Sequence, residues 1–294
     1  MTGPTGVGKS SLAVALAERL DGEILGADAF QIYAGLPVLT AQASPDQLSA
    51  VPHHLVGFLD LGENFNAARF VQAARERIAE IDSRGKLPIL VGGTGLYLKA
   101  LTHGLAEMPP ADPALRARIS SLTLELATEE LAKADPEALA QIDLKNPMRV
   151  RRALEIVLQT QRPLADSRGA WSQESNEFRG LILTREREDL RNRIEANVTQ
   201  MLASGAIKEV RRASHAGEGA RRAIGFREIE EFLAGKTSLN ACREAIATAT
   251  KRYAKRQLTW CRTQFNFPSL DLTAIPHPEF VLIRALEILE AQAP

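Results

Sequence analysis

Cysteine is nearly absent from this chain, and so is any imbalance of charge. Its 294 residues include two cysteines, Cys242 and Cys261. That is too few for a disulfide framework or a four-ligand zinc site, and buried reduced thiols are expected. The 36 basic and 36 acidic side chains cancel, so overall charge draws the protein to neither a polynucleotide nor an anionic membrane. Local clusters must carry any such role. No apolar run approaches the roughly 20 residues of a membrane span. No charged-then-apolar leader opens the sequence, so a cytoplasmic protein without a membrane partner is expected. Internal repeats and low-complexity tracts are missing as well. What remains is an ordinary globular composition, long enough for one large or two modest domains, each with its own core.

The most specific feature comes first in the chain. Gly3-Pro4-Thr5-Gly6-Val7-Gly8-Lys9-Ser10 fits the phosphate-loop pattern G-x-x-x-x-G-K-[ST] at every specified position. The glycines let successive N–H groups turn toward one anion, and the following helix presents its positive end there. Lys9 adds a cation able to reach a terminal phosphate, and Ser10 a hydroxyl suited to Mg2+. The run from Ser10 to Leu20 has helical apolar spacing at Leu12, Ala15, Leu16 and Leu20. A buried strand ordinarily leads into such a loop, yet only Met1-Thr2 precedes it here, and if that strand is truly missing the loop is expected to have lost its anchor.

Glu23 to Asp28 reads as a parallel strand ending in a carboxylate, on the sheet edge where ligands of doubly wound folds sit. Asp28 is then either a base or magnesium partner at that mouth, or the cap of a turn. Ala29-Phe30-Gln31-Ile32-Tyr33 continues along the mouth. His53 and His54 point to opposite faces of an extended segment, which argues against a shared metal and for hydrogen-bonding roles. An amphipathic helix is expected over 66–83, then a buried strand over 87–91. Gly92-Gly93-Thr94-Gly95 breaks that strand into another helix, with Thr94 as its cap, a substrate contact, or both. From Met108 a proline-rich linker gives way to charged helical sequence, with helices expected at 114–127, 128–134, 136–142 and 147–160. The chain returns to the sheet at 179–184, and a helix follows over 186–203. The pattern predicts an α/β fold: a P-loop NTPase-like parallel sheet flanked by helices, carrying an inserted helical subdomain. The core comprises 1–111 and 176–294, and the insertion 112–175.

Basic residues gather locally despite the neutral total. Arg116 and Arg118 share one predicted helix, Arg149, Arg151 and Arg152 another, and Arg221, Arg222 and Arg227 lie further on. Lys251 with Lys255, and Arg252 with Arg256, fall one turn apart on one helix face. A solvated face is the usual meaning of such a cluster, though the last stripe also suits polynucleotide phosphates. The strand at 87–91 ends in glycines and threonine rather than in the acid that holds magnesium in hydrolysing NTPases, which argues against a motor or switch. A small-molecule kinase using Asp28 stays open.

Seven segments, taken in order, resemble the motifs of the tRNA dimethylallyltransferase family. They are Gly3 to Ser10, Ala27-Asp28-Ala29-Phe30-Gln31-Ile32-Tyr33, Pro52-His53-His54-Leu55, Leu90 to Tyr97, Arg152-Ala153-Leu154-Glu155, Ala223-Ile224-Gly225-Phe226-Arg227-Glu228, and Lys255-Arg256-Gln257-Leu258-Thr259-Trp260. The resemblance implies magnesium-dependent transfer of a dimethylallyl group from its diphosphate to N6 of the adenosine 3′-adjacent to a tRNA anticodon. It makes Asp28 the general base, with Thr94 and Arg116 near the reaction centre. Gly3, Pro4, Thr5, Gly6, Val7, Gly8, Lys9 and Ser10 would hold the diphosphate, Ser10 through Mg2+. The tRNA anticodon stem-loop would meet Asp28, Ala29, Phe30 and Gln31; Met148, Arg149, Val150, Arg151 and Arg152; Arg222, Ala223, Ile224, Gly225, Phe226 and Arg227; and Lys255 and Arg256. A monomer is expected. The alternatives are a P-loop kinase or NTPase and a catalytically impaired tRNA-binding relative. Two positions depart from the family pattern, with Ala29 in place of serine and Gln42 in place of lysine.

Overall fold

The computed structural model describes residues 1–104, 112–167, 178–275 and 277–292. In chain order its elements are α1 (Lys9–Arg19), β1 (Gly22–Gly26), α2 (Pro45–Ala50), β2 (His53–His54), α3 (Ala67–Ser83), β3 (Leu87–Val91), α4 (Gly95–His103), α5 (Pro113–Ser121), α6 (Leu124–Ala134), α7 (Ala138–Gln141), α8 (Pro147–Thr160) and α9 (Leu164–Ser167), followed by β4 (Ile182–Thr184), α10 (Arg187–Ala203), α11 (Ala206–Arg212), α12 (Glu218–Arg221), α13 (Phe226–Leu233), α14 (Leu239–Gln264), β5 (Ser269–Asp271) and α15 (Pro278–Glu290). The chain divides into two compact units, Met1–Thr102 with Ser175–Pro294, and His103–Glu174. The expected boundaries at 111/112 and 175/176, like the proline-rich linker at 108–111, involve residues outside those described.

The first unit is α/β, and its strand pairings are parallel. β2, β1 and β3 form one ladder and β4 with β5 another. Between the ladders lies Thr2, bridged in parallel to Gly92 on one side and Ile182 on the other. Its N–H donates to Leu181 O at 2.9 Å, its carbonyl accepts from Leu183 N at 2.8 Å, and Gly92 N donates to Met1 O at 3.2 Å. The expectation of an unanchored loop is corrected here. Met1-Thr2 act as a very short central strand with hydrogen bonds on both sides, which leads straight into the loop at Gly3.

Alternation along the strands sends side chains to two cores. Ile24 packs with Ala13 and Ala17 of α1, while Leu25 packs with Phe70 and Ala74 of α3 and Leu98 of α4. Leu181 and Leu183 join α1 and α15, and Ile182 between them joins the opposite face. Each fully buried side chain of this kind contributes about 1.5–3 kcal/mol. A third cluster seats the segment around Ile32, Tyr33 and Leu36 on α10 to α14.

The second unit is helical, built on α6 and α8 around Leu131, Val150 and Leu154. The helix expected over 114–127 breaks, because Thr123 Oγ1 accepts from Leu126 N at 3.3 Å and starts α6 anew. Asp135, buried, accepts from Ala138 N at 3.3 Å and Leu164 N at 2.7 Å. One carboxylate thereby fastens the starts of two short helices.

Candidate active site

Because the pairings are parallel, the segments after Thr2, β1, β3 and β4 all emerge at one edge of the sheet. Gly3 to Ser10 is the first. Gly8, the residue before α1, has φ +113°, a conformation that a side chain would strain. Lys9 Nζ donates to the carbonyls of Gly3 and Pro4, each at 2.9 Å. Burial pushes the Lys9 ammonium down to about 8, against the pull of the Asp28 carboxylate. Ser10 is exposed in the first turn of α1. Two arginines unforeseen from the sequence back the loop: Arg185 Nε donates to Val7 O at 2.9 Å and Arg193 Nε to Gly6 O at 3.0 Å. Their one sequence signal is that they follow the strand returning to the sheet.

Asp28 stands two residues past β1. Its Oδ1 accepts from Phe30 N at 2.9 Å and Gln31 N at 3.4 Å, so the turn-cap role is present. No described protein group donates to its Oδ2. Thr94 stands beside it: Oγ1 accepts from Ala29 N at 2.9 Å, and Thr94 N donates to Ala27 O at 3.2 Å. Burial raises the Tyr253 hydroxyl above its usual range and the Asp28 charge adds to this, while hydrogen bonding to Thr94 and Gln257 works the other way. Tyr97 is raised by burial too, with charge on Tyr33 and Asp28 contributing.

Two glycines of the turn at 92–95, Gly93 and Gly95, are explained by what presses on them from α14. A Cβ on Gly93 would stand 2.1 Å from Gln257 Nε2, and one on Gly95 2.1 Å from Trp260 Cε3. Gln257 Nε2 donates to Gly93 O at 3.0 Å, and its Oε1 accepts from Thr5 N at 2.8 Å. The Thr5 amide is therefore committed to Gln257. The segment from Lys255 to Trp260 thus has two faces, with Lys255 and Arg256 exposed and Gln257 buried. Lys251 is paired with Glu195.

Other expected contacts fall as follows. Gln31 Nε2 donates to Thr40 O at 3.2 Å and Ala41 O at 2.9 Å, and Gln42 Nε2 to Tyr33 O at 2.8 Å, so both amides fasten their own loop. Arg222 faces Glu218 at 3.6 Å and Arg227 pairs with Glu231 at 3.2 Å. With Ile224 they line a hollow of about 540 Å3. Ala223 and Phe226 are buried, and Gly225 is the left-handed residue before α13. In the helical unit, Arg116 donates through Nε and Nη2 to Glu155 Oε1 at 3.1 and 2.7 Å. Arg152 meets Glu155 Oε2 at 2.9 Å, and Arg151 donates to Leu122 O at 2.8 Å. Met148 and Arg149 are exposed, whereas Val150 is fully buried. The side chains of Val150, Ala223 and Phe226, expected among the tRNA contacts, pack into the cores of their own units.

His54 Nε2 donates to Glu23 at 2.6 Å and His53 Nδ1 meets Val51 O at 2.9 Å. Glu23 lies at the other end of β1 from Asp28. Among the described residues no group of three or more His, Cys, Asp and Glu forms a metal cage.

A parallel sheet with a glycine loop, a carboxylate and a hydrogen-bonded threonine gathered outside its carboxyl edge defines an α/β protein of the class whose ligands sit at that edge. The family model described as IPP transferase matches residues 31–264. The chain is 43% identical over 264 residues to tRNA dimethylallyltransferase 1 of Citrifermentans bemidjiense, covering 88% of this chain and 86% of that one. Its structure resembles the full-length tRNA isopentenylpyrophosphate transferase of Bacillus halodurans, with TM-score 0.72, 34% identity, and coverage of 99% of this chain and 96% of that chain. A eukaryotic dimethylallyltransferase acting on tRNA superimposes with TM-score 0.85 and 26% identity, covering 100% of this chain and 79% of that one. The chain belongs to the IPP transferase family.

Proposed function

We infer that the protein transfers a dimethylallyl group from dimethylallyl diphosphate to N6 of the adenosine 3′-adjacent to the anticodon of tRNA. The observation that carries the reading is the joint placement of the Gly3–Ser10 loop, Asp28 and Thr94 at one sheet edge, in a chain whose relatives are named tRNA dimethylallyltransferase. That kinship also sets aside the kinase and NTPase alternatives. In this reading the first unit is a P-loop NTPase-like core and the protein works as a monomer.

In the transfer step N6 attacks the allylic carbon, the C–N bond forms as the C–O bond breaks, diphosphate departs and the N6 proton passes to Asp28 Oδ2. Lys9 and the loop amides beyond Thr5 face the charge growing on the departing diphosphate, a preorganised electrostatic contribution. Arg185, itself paired with Asp189, and Arg193 hold the loop's shape through its carbonyls. Ser10 fits Mg2+: its hydroxyl is exposed on the first turn of α1 and no described protein group bonds it. Magnesium typically takes one or two protein ligands beside phosphate oxygens and waters. Bound there, the ion would neutralise diphosphate charge. An amine conjugated to a purine is a weak nucleophile, so alignment with the allylic carbon matters more than the basicity of Asp28. The adenine must leave its stack to reach this edge. Arg116, Arg149, Arg222, Arg227, Lys255 and Arg256 are the cations assigned to substrate and tRNA.

The test is to incubate the purified protein with unmodified tRNA, dimethylallyl diphosphate and magnesium, digest the RNA and seek N6-dimethylallyladenosine by mass spectrometry. Its appearance is expected. Folded protein that binds tRNA without forming it would instead mark a non-catalytic relative.

A further inference from the structure

Gln257 uses both ends of its carboxamide at once. It is 5% exposed on the inner face of α14, takes the Thr5 N–H at 2.8 Å through Oε1 and donates to Gly93 O at 3.0 Å through Nε2. Thr5 belongs to the Gly3–Ser10 loop. Gly93 immediately precedes Thr94, whose hydroxyl holds Ala29 N beside Asp28. A carboxamide is planar, with donor and acceptor at fixed separation, so the loop and the turn cannot shift independently while both bonds stand. The missing Cβ of Gly93 is what lets the turn approach the amide this closely.

We propose that Gln257 is a positioning residue for the transfer reaction. It sets the spacing between the loop that holds the diphosphate and the turn that places Asp28 and Thr94, and it touches neither substrate. The proposal rests on the transfer reading above. In-line displacement requires nitrogen, carbon and leaving oxygen to be aligned, and each half of that line is fixed by a different loop. A misplacement of about 1 Å costs on the order of a hundredfold in rate. Of the two linked loops each substrate engages only one, so loosening the link lowers turnover more than it raises either KM.

The experiment uses the full chain with tRNA, dimethylallyl diphosphate and magnesium, and compares wild type with Gln257→Met, Gln257→Glu and Gly93→Ala. Met fills the space without polar atoms. Glu keeps the acceptor for Thr5. The added methyl of Gly93→Ala pushes the amide aside while α14 stays unaltered. For Gln257→Met, kcat is expected to fall between about tenfold and a hundredfold, with KM for dimethylallyl diphosphate and for tRNA each within about threefold of wild type. Gly93→Ala should reproduce that split, and Gln257→Glu should fall between wild type and Met. A folded Gln257→Met with kcat within twofold of wild type overturns the proposal, as does a loss carried entirely by either KM. Should Met not fold, Glu alone decides on the same criterion. An inactive wild type overturns the transfer reading itself and is recognised before any variant is compared.

Discussion

At Asp28 a single carboxylate serves the fold through one oxygen and offers the other to the site. Asparagine keeps the Oδ1 acceptor for Phe30 N and Gln31 N and removes the proposed base. Asp28→Asn should therefore lower transfer by about 10²–10⁴-fold while the affinity for an anticodon stem-loop, followed by fluorescence anisotropy, stays within about twofold. Equal turnover would remove Asp28 from proton transfer. Lys9 carries a second residue-scale prediction. Its ammonium, pushed down to about 8 by burial, is charged below that pH and lost above it, and a bound diphosphate favours the charged form. Donor affinity should be level below about pH 8 and then weaken toward tenfold per unit, with a proton taken up on binding. Calorimetry in buffers of different ionisation enthalpy reads that uptake, and Lys9→Met should abolish both the uptake and the pH dependence.

Two helices are each organised by their buried side. In α8, Glu155 is the buried acceptor shared by Arg116 and Arg152, so the arginine assigned to the reaction is oriented from within its own unit. Charge-assisted hydrogen bonds of this kind are worth about 1.5–3 kcal/mol. Glu155→Gln should lower transfer by about tenfold, mostly in kcat, and a circular-dichroism spectrum should show the helices intact. In α14, Gln257 and Trp260 face the glycine turn while Lys255 and Arg256 face water. Lys255→Ala and Arg256→Ala should weaken tRNA binding and flatten the log–log salt dependence by about 0.7–0.9 per charge removed. An unchanged slope would place these cations away from phosphate.

The first unit is fastened, at the end of β1 away from Asp28, by Glu23, His54 and Arg84. Burial works to raise the Glu23 carboxyl, but hydrogen bonds and charge from His54 and Arg84 outweigh it and hold the group below its ordinary value. A depressed carboxyl contributes stability above its unfolded value, and that stability is lost as pH falls through the folded one. Glu23→Gln should cost about 1–2 kcal/mol at neutral pH, and the gap in melting temperature should close as pH drops below about 4.5. The sheet is tied by Met1-Thr2, whose backbone joins two ladders that share no other bridge among the described residues.

Local chemistry in the sequence determined much of this. The glycine spacing from Gly3 to Gly8, the apolar runs of β1 and β3, the helix caps and the motif order are fixed by backbone sterics and short-range periodicity, and they sufficed for an α/β class, the loop and the Asp28–Thr94 neighbourhood. Tertiary structure decided what depends on distant residues meeting. Two residues become a central strand because ladders from positions 92 and 182 close on them. Arg185 and Arg193 reach loop residues 178 and 187 positions away in the sequence. Gly93 and Gly95 answer to Gln257 and Trp260, more than 160 residues away. Periodicity says which face of a helix is apolar, but only packing says which polar group on that face is held, and by what.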